Sequence, residues 1–386
     1  MITESKLLDR KILRHGHTID QSLLWLVVLM LGFSLVMVYS ASVAFAGQGG
    51  GNKWAFLIRQ AAYIAVGGGA AWVAFRVPMR TWQKYSMVLL VISLLMLIAV
   101  LLVGRDVNGA RRWIPLGVAN LQPSEFFKLA VILYLSGFFM RRAEVLQHLK
   151  KVCWVALPVG CGLGLIMLQP DFGSFVVVSV ISVGLLFLVG LPFRWFIVVV
   201  LAGLSGMVTL GLISPYRMAR VTAFLDPWAD PLGSGYQLTH ALMAIGRGGW
   251  TGVGLGAGLE KRFYLPEAHT DFITAVIGEE FGFLGMMLLT ACYLWLVWRS
   301  FSIGKMARDL EQFFGAFVAS GVGIWLGIQS FFNIGVNIGL LPTKGLTLPL
   351  VSYGGSAAVV MLVSMALLLR VDYENRRKMR GYKVEG

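Results

Sequence analysis

The chain has 386 residues, 57% of them hydrophobic and 13% charged, with a formal net charge of +14. Soluble domains run at about 45–50% apolar and about 25% charged. Such a chain cannot cover its apolar surface in water, which excludes a soluble globular fold and leaves an integral membrane protein. Its basic character does not point to nucleic acid. The Lys and Arg residues lie in short clusters between apolar runs, as they do in cytoplasmic loops under the positive-inside rule.

A helix crossing about 30 Å of hydrocarbon needs roughly 20 residues. Apolar runs predict spans near 22–45, 54–75, 85–103, 123–140, 152–169, 172–190, 193–213, 270–298, 313–337 and 347–370. The first run follows Lys6, Arg10, Lys11 and Arg14, and Ala44-Phe45-Ala46 mimics a cleavage site. It is too long for a signal h-region and reads as an uncleaved span. With the N-terminus inside, most Lys and Arg residues fall on the cytoplasmic side, and the even span count returns Arg376, Arg377, Lys378 and Arg380 there too. The expected fold is an all-α integral membrane protein of about ten transmembrane helices. It forms a single membrane domain over 1–386, with cytoplasmic tails at 1–21 and 371–386 and a long extracytoplasmic loop at 214–269 between the seventh and eighth spans. Cys153, Cys161 and Cys292 fall in or beside apolar segments, without metal-ligand or disulfide spacing.

Pro215, Pro227, Pro231 and Pro266 punctuate the long loop, and Leu238, Ala241, Leu242 and Ile245 repeat at helical spacing. They predict a short amphipathic helix at the outer interface. The glycine-rich run from Gly246 to Gly258 fits no nucleotide-binding pattern and reads as close backbone packing or loop adaptability. Near the last span, Leu341 to Leu346, Pro349 and Ser352 to Ser356 interrupt an apolar run. Irregular backbone at membrane depth is tolerated where protein or a water-filled cavity satisfies it.

Ionisable residues in spans mark function by default, and three stretches stand out. In Pro266-Glu267-Ala268-His269-Thr270-Asp271, projection at 100° per residue puts Asp271, Ala275, Gly278 and Gly282 on one face, whose small residues admit a close neighbour. Asp271 is either a catalytic carboxylate at the outer mouth or an acid complementing the helix dipole. Glu279 and Glu280 lie deeper and read as buried structural acids. The second stretch is Asn108 to Ile114 with Gln122-Pro123-Ser124-Glu125 and Lys128. Glu125 and Lys128, at i and i+3, can pair, and Arg111 and Arg112 suit an anionic head group. The third, Gln169-Pro170-Asp171-Phe172-Gly173, reads as turn chemistry. In the ninth span Gln329, Asn333 and Asn337 form a polar stripe that reads as interhelical glue.

At these residues the chain resembles the SEDS family (shape, elongation, division and sporulation proteins). The matching blocks are 108–114, 122–125, 169–173, Tyr236-Gln237, 264–273, 278–282 and 341–356, in family order. Within the family, 264–271 and 230–237 resemble the division branch; the elongation branch tends to have Arg where Ala268 stands. The resemblance implies a peptidoglycan glycosyltransferase polymerising lipid II, an undecaprenyl pyrophosphate-linked disaccharide-pentapeptide, into β-1,4 glycan at the division septum. It implies residence in the inner membrane with both termini cytoplasmic. It also implies a class B penicillin-binding protein as transpeptidase partner, with other division proteins. The family's proposed catalytic Asp falls on Asp271. Expected substrate-binding residues are Arg111, Arg112, Trp113, Glu125, Lys128, His269, Lys344 and Ser356. No tightly bound cofactor is expected, and a divalent cation, Mg or Mn, is left open, with Arg217, Arg220, Lys261 and Arg262 as further candidate pyrophosphate cations. A lipid II flippase and a non-catalytic division scaffold are the alternative readings.

Overall fold

The computed structural model describes residues 19–47, 52–107, 110–115, 120–141, 149–190, 224–343 and 345–382, with a few positions between 193 and 201. The helices in chain order are α1 (Gln21–Ala46), α2 (Ala55–Arg76), α3 (Met79–Val103), α4 (Pro123–Arg141), α5 (Leu149–Leu168), α6 (Phe172–Leu188), α7 (Tyr236–Gly248), α8 (Ile273–Asp309), α9 (Phe313–Asn337) and α10 (Gly355–Met379). Among the described residues, seven of these (α1 to α4 and α8 to α10) are long and apolar enough to cross a membrane, and α5 and α6 carry shorter apolar stretches. The seventh expected span, 193–213, lies almost wholly outside the described residues.

The inner layer is α4, α9 and α10, whose faces are mostly buried, while α2 lies at the periphery. Trp25 and Leu29 on α1, Leu95 and Leu102 on α3, and Leu288 and Leu294 on α8 are exposed. Exposed apolar side chains at that density belong against lipid tails, with helical hydrogen bonding satisfying the backbone. At the end assigned to the cytoplasm, Asp20 caps α1 through Leu23 N (3.2 Å) and pairs with Arg299 of α8. Arg370 pairs with Glu374 (2.8 Å) and Arg376 with Asp372 (2.7 Å) along α10.

Two features depart from the expected helical map. Between α3 and α4 the chain forms a small antiparallel sheet in the order β1 (Arg105–Val107), β2 (Ala110–Pro115), β3 (Asn120–Leu121). Arg105 stands opposite Trp113 and Ile114 opposite Leu121. The last helix begins at Gly355 and not near 347, because 345–354 is irregular backbone bonded to other segments, and it continues to Met379.

Helix α8 is broken at Gly282 (φ 66°, ψ −163°). The glycine-rich run after α7 fills the break. Val253 N donates to Glu279 O (2.9 Å) and Gly254 N to Glu280 O (3.1 Å), while Phe283 N and Leu284 N donate back to Gly249 O (2.9 Å) and Trp250 O (3.1 Å). Backbone groups freed by the kink are thus satisfied, as burial requires. The approach is close: a Cβ on Gly248 would lie 1.9 Å from the Gly278 carbonyl oxygen. The amphipathic helix and the close-packing role of the glycines agree with the sequence. The single helical face through Asp271 and Gly282 does not hold, since Asp271 precedes the helix and Gly282 interrupts it.

Candidate active site

Asp271 stands just before α8, half-buried, and its backbone is held from two sides. From α9, Asn333 Nδ2 and Asn337 Nδ2 both donate to the Asp271 carbonyl oxygen, at 2.9 and 3.1 Å. From the irregular segment before α10, Tyr353 N donates to His269 O (3.0 Å) and Ser352 Oγ to Thr270 O (2.6 Å). Asn333 Nδ2 also donates to Leu346 O (2.6 Å), tying the two segments together. Gly345 faces the carboxylate: a Cβ there would lie 3.0 Å from Asp271 Oδ2.

The polar stripe of α9 continues to the second stretch. Gln329 Nε2 donates to Thr347 O (2.9 Å), and its Oε1 accepts from Trp325 Nε1 (2.6 Å) and Lys128 Nζ (3.2 Å). Lys128 Nζ also pairs with Glu125 Oε1 at 2.7 Å. Lys128 is fully enclosed at 0% exposure and Glu125 at 4%. A buried charge needs a partner and hydrogen bonds, and this lysine has both. It therefore stands inside the bundle, linked to the Asp271 region through Gln329 and the 345–348 segment. A cavity of ≈ 10 Å³ beside it, lined by Glu125, Gln329, Thr347, Ser352 and Met361 among others, has room for about one water.

The third stretch joins the second. Asp171 caps α6 through Ser174 N (3.2 Å), and its other oxygen accepts from Ser124 Oγ (3.1 Å) and Gln122 Nε2 (3.3 Å). Ser356 Oγ accepts from Gln122 N at 3.0 Å. Arg112 is half-buried and donates to the carbonyls of Gln169 (3.2 Å) and Pro170. Arg111 is exposed on β2, and Trp113 is half-buried two residues along the same strand. Lys344, Arg217 and Arg220 lie outside the described residues. Lys261 is buried, paired with Glu280 and bonded to Ser40 Oγ (2.7 Å), and so braces α8 against α1.

His269 packs in an aromatic cage, 4.7 Å from the Phe56 ring centre, 5.5 Å from Tyr353 and 6.4 Å from Phe45. Burial pushes its imidazole below the usual histidine range, against the raising effect of Glu267. Its Nδ1 is buried without a hydrogen-bond partner among the described residues. Glu279 accepts from Leu259 N (2.7 Å) and Glu260 N (3.3 Å), a structural role, as the sequence suggested.

The segments carrying Glu125, Lys128, His269, Asp271 and Ser356 thus converge on one end of the bundle. The two carboxamides on the Asp271 carbonyl are the part of this site that sequence reasoning missed. Their signal was there, as i and i+4 amides in an apolar helix, but its target was not legible. Among the described residues no three His, Cys, Asp or Glu side chains stand close enough together to hold a metal ion.

A half-buried carboxylate whose backbone is held from two segments, at one end of a multi-pass helical bundle, fits a membrane-embedded glycosyltransferase. A family model described as cell cycle protein, covering FtsW, RodA and SpoVE, matches residues 21–377, and the chain belongs to this family. It is 56% identical to the probable peptidoglycan glycosyltransferase FtsW of Neisseria gonorrhoeae, over 98% of this chain and 90% of that protein. It is 49% identical to the protein of the same name from Burkholderia thailandensis, over 99% of this chain and 82% of that one. Among solved structures it resembles one describing structural coordination of polymerization and crosslinking by a peptidoglycan synthase complex (TM-score 0.76, 31% identity, 92% of this chain, 98% of that one). It also resembles the rod shape determining protein RodA of Thermus thermophilus (TM-score 0.66, 28% identity, 92% and 97%).

Proposed function

We propose that this chain is a peptidoglycan glycosyltransferase that polymerises lipid II into β-1,4 glycan during septal wall synthesis, with Asp271 as general base. The observation that carries the reading is the Asp271 carboxylate, half-buried and held by its backbone from α9 and from the 345–353 segment. In each addition, the acceptor hydroxyl oxygen bonds to the donor's anomeric carbon. The carbon–oxygen bond to pyrophosphate breaks, and its electron pair leaves with undecaprenyl pyrophosphate. The hydroxyl proton passes to Asp271. Attack opposite the leaving group turns an α-linked donor into a β-linked product.

Glycoside hydrolases use two carboxyl groups because a poor leaving group must be protonated. Pyrophosphate leaves unprotonated where cations neutralise it, so one carboxylate as base suffices. Arg111, exposed on β2, and Arg112 are the cations proposed for that task. Lys128, enclosed with Glu125, bears on the site through Gln329. A divalent cation taking part would enter with the pyrophosphate. The proposed partners are a class B penicillin-binding protein as transpeptidase and other division proteins, with both termini in the cytoplasm.

The test is glycan synthesis from purified lipid II by the purified chain, with and without the cognate transpeptidase. Polymer that a β-1,4-specific muramidase degrades supports the reading. A folded complex that moves lipid II across vesicles yet makes no polymer refutes it in favour of a flippase, and one that does neither refutes it in favour of a scaffold.

A further inference from the structure

In the chain's sequence Asn333 and Asn337 look like the polar residues that bond one membrane helix to the next. Their contacts are more specific. Both side-chain amides converge on one atom, the carbonyl oxygen of Asp271, and together they occupy both of its lone pairs. Each carboxamide also reaches into the first turn of α8. Asn337 Oδ1 accepts from Ala275 N at 3.0 Å, and Asn333 Oδ1 accepts from Thr274 Oγ1 at 2.6 Å.

An α-helix continued back to Asp271 would bond Ala275 N to Asp271 O, the i to i+4 partner. That bond is not made. The Asn337 carboxamide stands between the two groups, its Nδ2 on the carbonyl and its Oδ1 on the N–H. Ala275 N otherwise reaches Phe272 O (3.0 Å), and α8 begins only at Ile273. The inserted amide therefore ends the helix short of Asp271. Asn333 fixes the freed residue against the facing segment through its bond to Leu346 O (2.6 Å), next to Gly345, which faces the Asp271 carboxylate. Asn333 and Asn337 are themselves 2% and 0% exposed, so neither amide meets bulk solvent.

We infer that Asn333 and Asn337 are positioning residues for the Asp271 carboxylate, holding it outside the helix and facing the Gly345 segment. The inference rests on Asp271 being the base. Removing the Asn337 carboxamide lets Ala275 N bond Asp271 O directly. The backbone groups remain satisfied, α8 gains its missing turn, and the carboxylate rotates away. Misplacement of a catalytic group by about 1 Å costs on the order of 10²-fold in rate. The loss falls on turnover and spares binding, because lipid II is held by other groups.

The experiment measures kcat and KM for lipid II with the full chain and its transpeptidase partner, for wild type, Asn337→Ala, the isosteric Asn337→Asp and Asn333→Ala, with Asp271→Asn alongside. Folded fraction and Tm are measured on the same preparations. The expected result is a fall in kcat of about 10²-fold, KM within about threefold of wild type, and a near wild-type Tm for at least one of the Asn variants. Asn variants with wild-type kcat beside an inactive Asp271→Asn overturn the positioning role and leave the base assignment standing. A rise in KM at unchanged kcat, or failure of all three to fold, also overturns it, because the amides then serve binding or the fold. Wild-type turnover by Asp271→Asn removes the base assignment and this inference with it.

Discussion

Two glycines of α7, two residues apart, should respond to the same substitution with opposite signs. Gly246 has nothing within 4 Å of where a Cβ would stand. Gly246→Ala therefore gains helix propensity alone, about 1 kcal/mol. Gly248 packs backbone to backbone on α8: a Cβ would meet the Gly278 carbonyl oxygen at 1.9 Å and Glu279 Cα at 3.0 Å. No flexible side chain can yield there, so the backbones must separate by about 1 Å, and overpacking of this kind costs about 1–3 kcal/mol. Separation also strains the Val253 N–Glu279 O and Gly254 N–Glu280 O bonds, each worth about 0.5–1.5 kcal/mol. After the helix-propensity gain of about 1 kcal/mol, the net for Gly248→Ala is destabilisation of roughly 1–5 kcal/mol. Thermal unfolding of both variants in the same detergent or nanodisc is the assay. Gly246→Ala should melt at or slightly above wild type and Gly248→Ala several degrees below it. Equal melting temperatures for the two would refute the account of the glycine run as a backbone-packing device.

Two further outcomes follow from buried charge. Lys261→Met leaves Glu280 enclosed with Ser40 as its remaining partner, which should cost about 3–5 kcal/mol; adding Glu280→Gln should restore much of it, and a double variant as unstable as the single one contradicts the pairing. Burial lowers the pKa of His269 in the folded chain. The unfolded chain takes up the proton first as pH falls below its ordinary value of about 6.5. Its contribution to stability is thus complete above that pH and is lost as pH falls toward the depressed folded value. Tm measured at pH 7.5 and 5.5 should drop less for His269→Phe than for wild type, and an equal drop assigns the acid sensitivity elsewhere.

Hydropathy located the helices that face lipid, because apolar length is a property of the local sequence. For α9 the expected span 313–337 matches the observed helix at both ends. Helix α10 was misplaced at its start because Leu346, Leu348, Leu350 and Val351 are apolar and buried yet not helical. The backbone of Leu346, Thr347 and Leu348 is taken by Asn333, Gln329 and Ser352, partners that hydropathy does not see. The break at Gly282 was hidden for the same reason: its backbone groups are satisfied by residues 249–254, some 30 positions upstream. The small sheet had a local signal, since Asn108-Gly109 between β1 and β2 is a strong hairpin dipeptide. At the site, the three charged stretches were legible one by one. What joins the first two, the α9 amides reaching Asp271, Leu346, Thr347 and Lys128, depends on which face α9 turns inward, and that is settled by tertiary packing.

We propose Asp271 as the base that takes the acceptor proton in glycan polymerisation. The most direct measurement compares wild type with Asp271→Ala, each purified with the cognate transpeptidase and supplied with lipid II, by the length and yield of glycan formed. Wild type should yield long polymer and the variant none, with lipid II still bound. Polymer from Asp271→Ala at the wild-type rate would contradict that role.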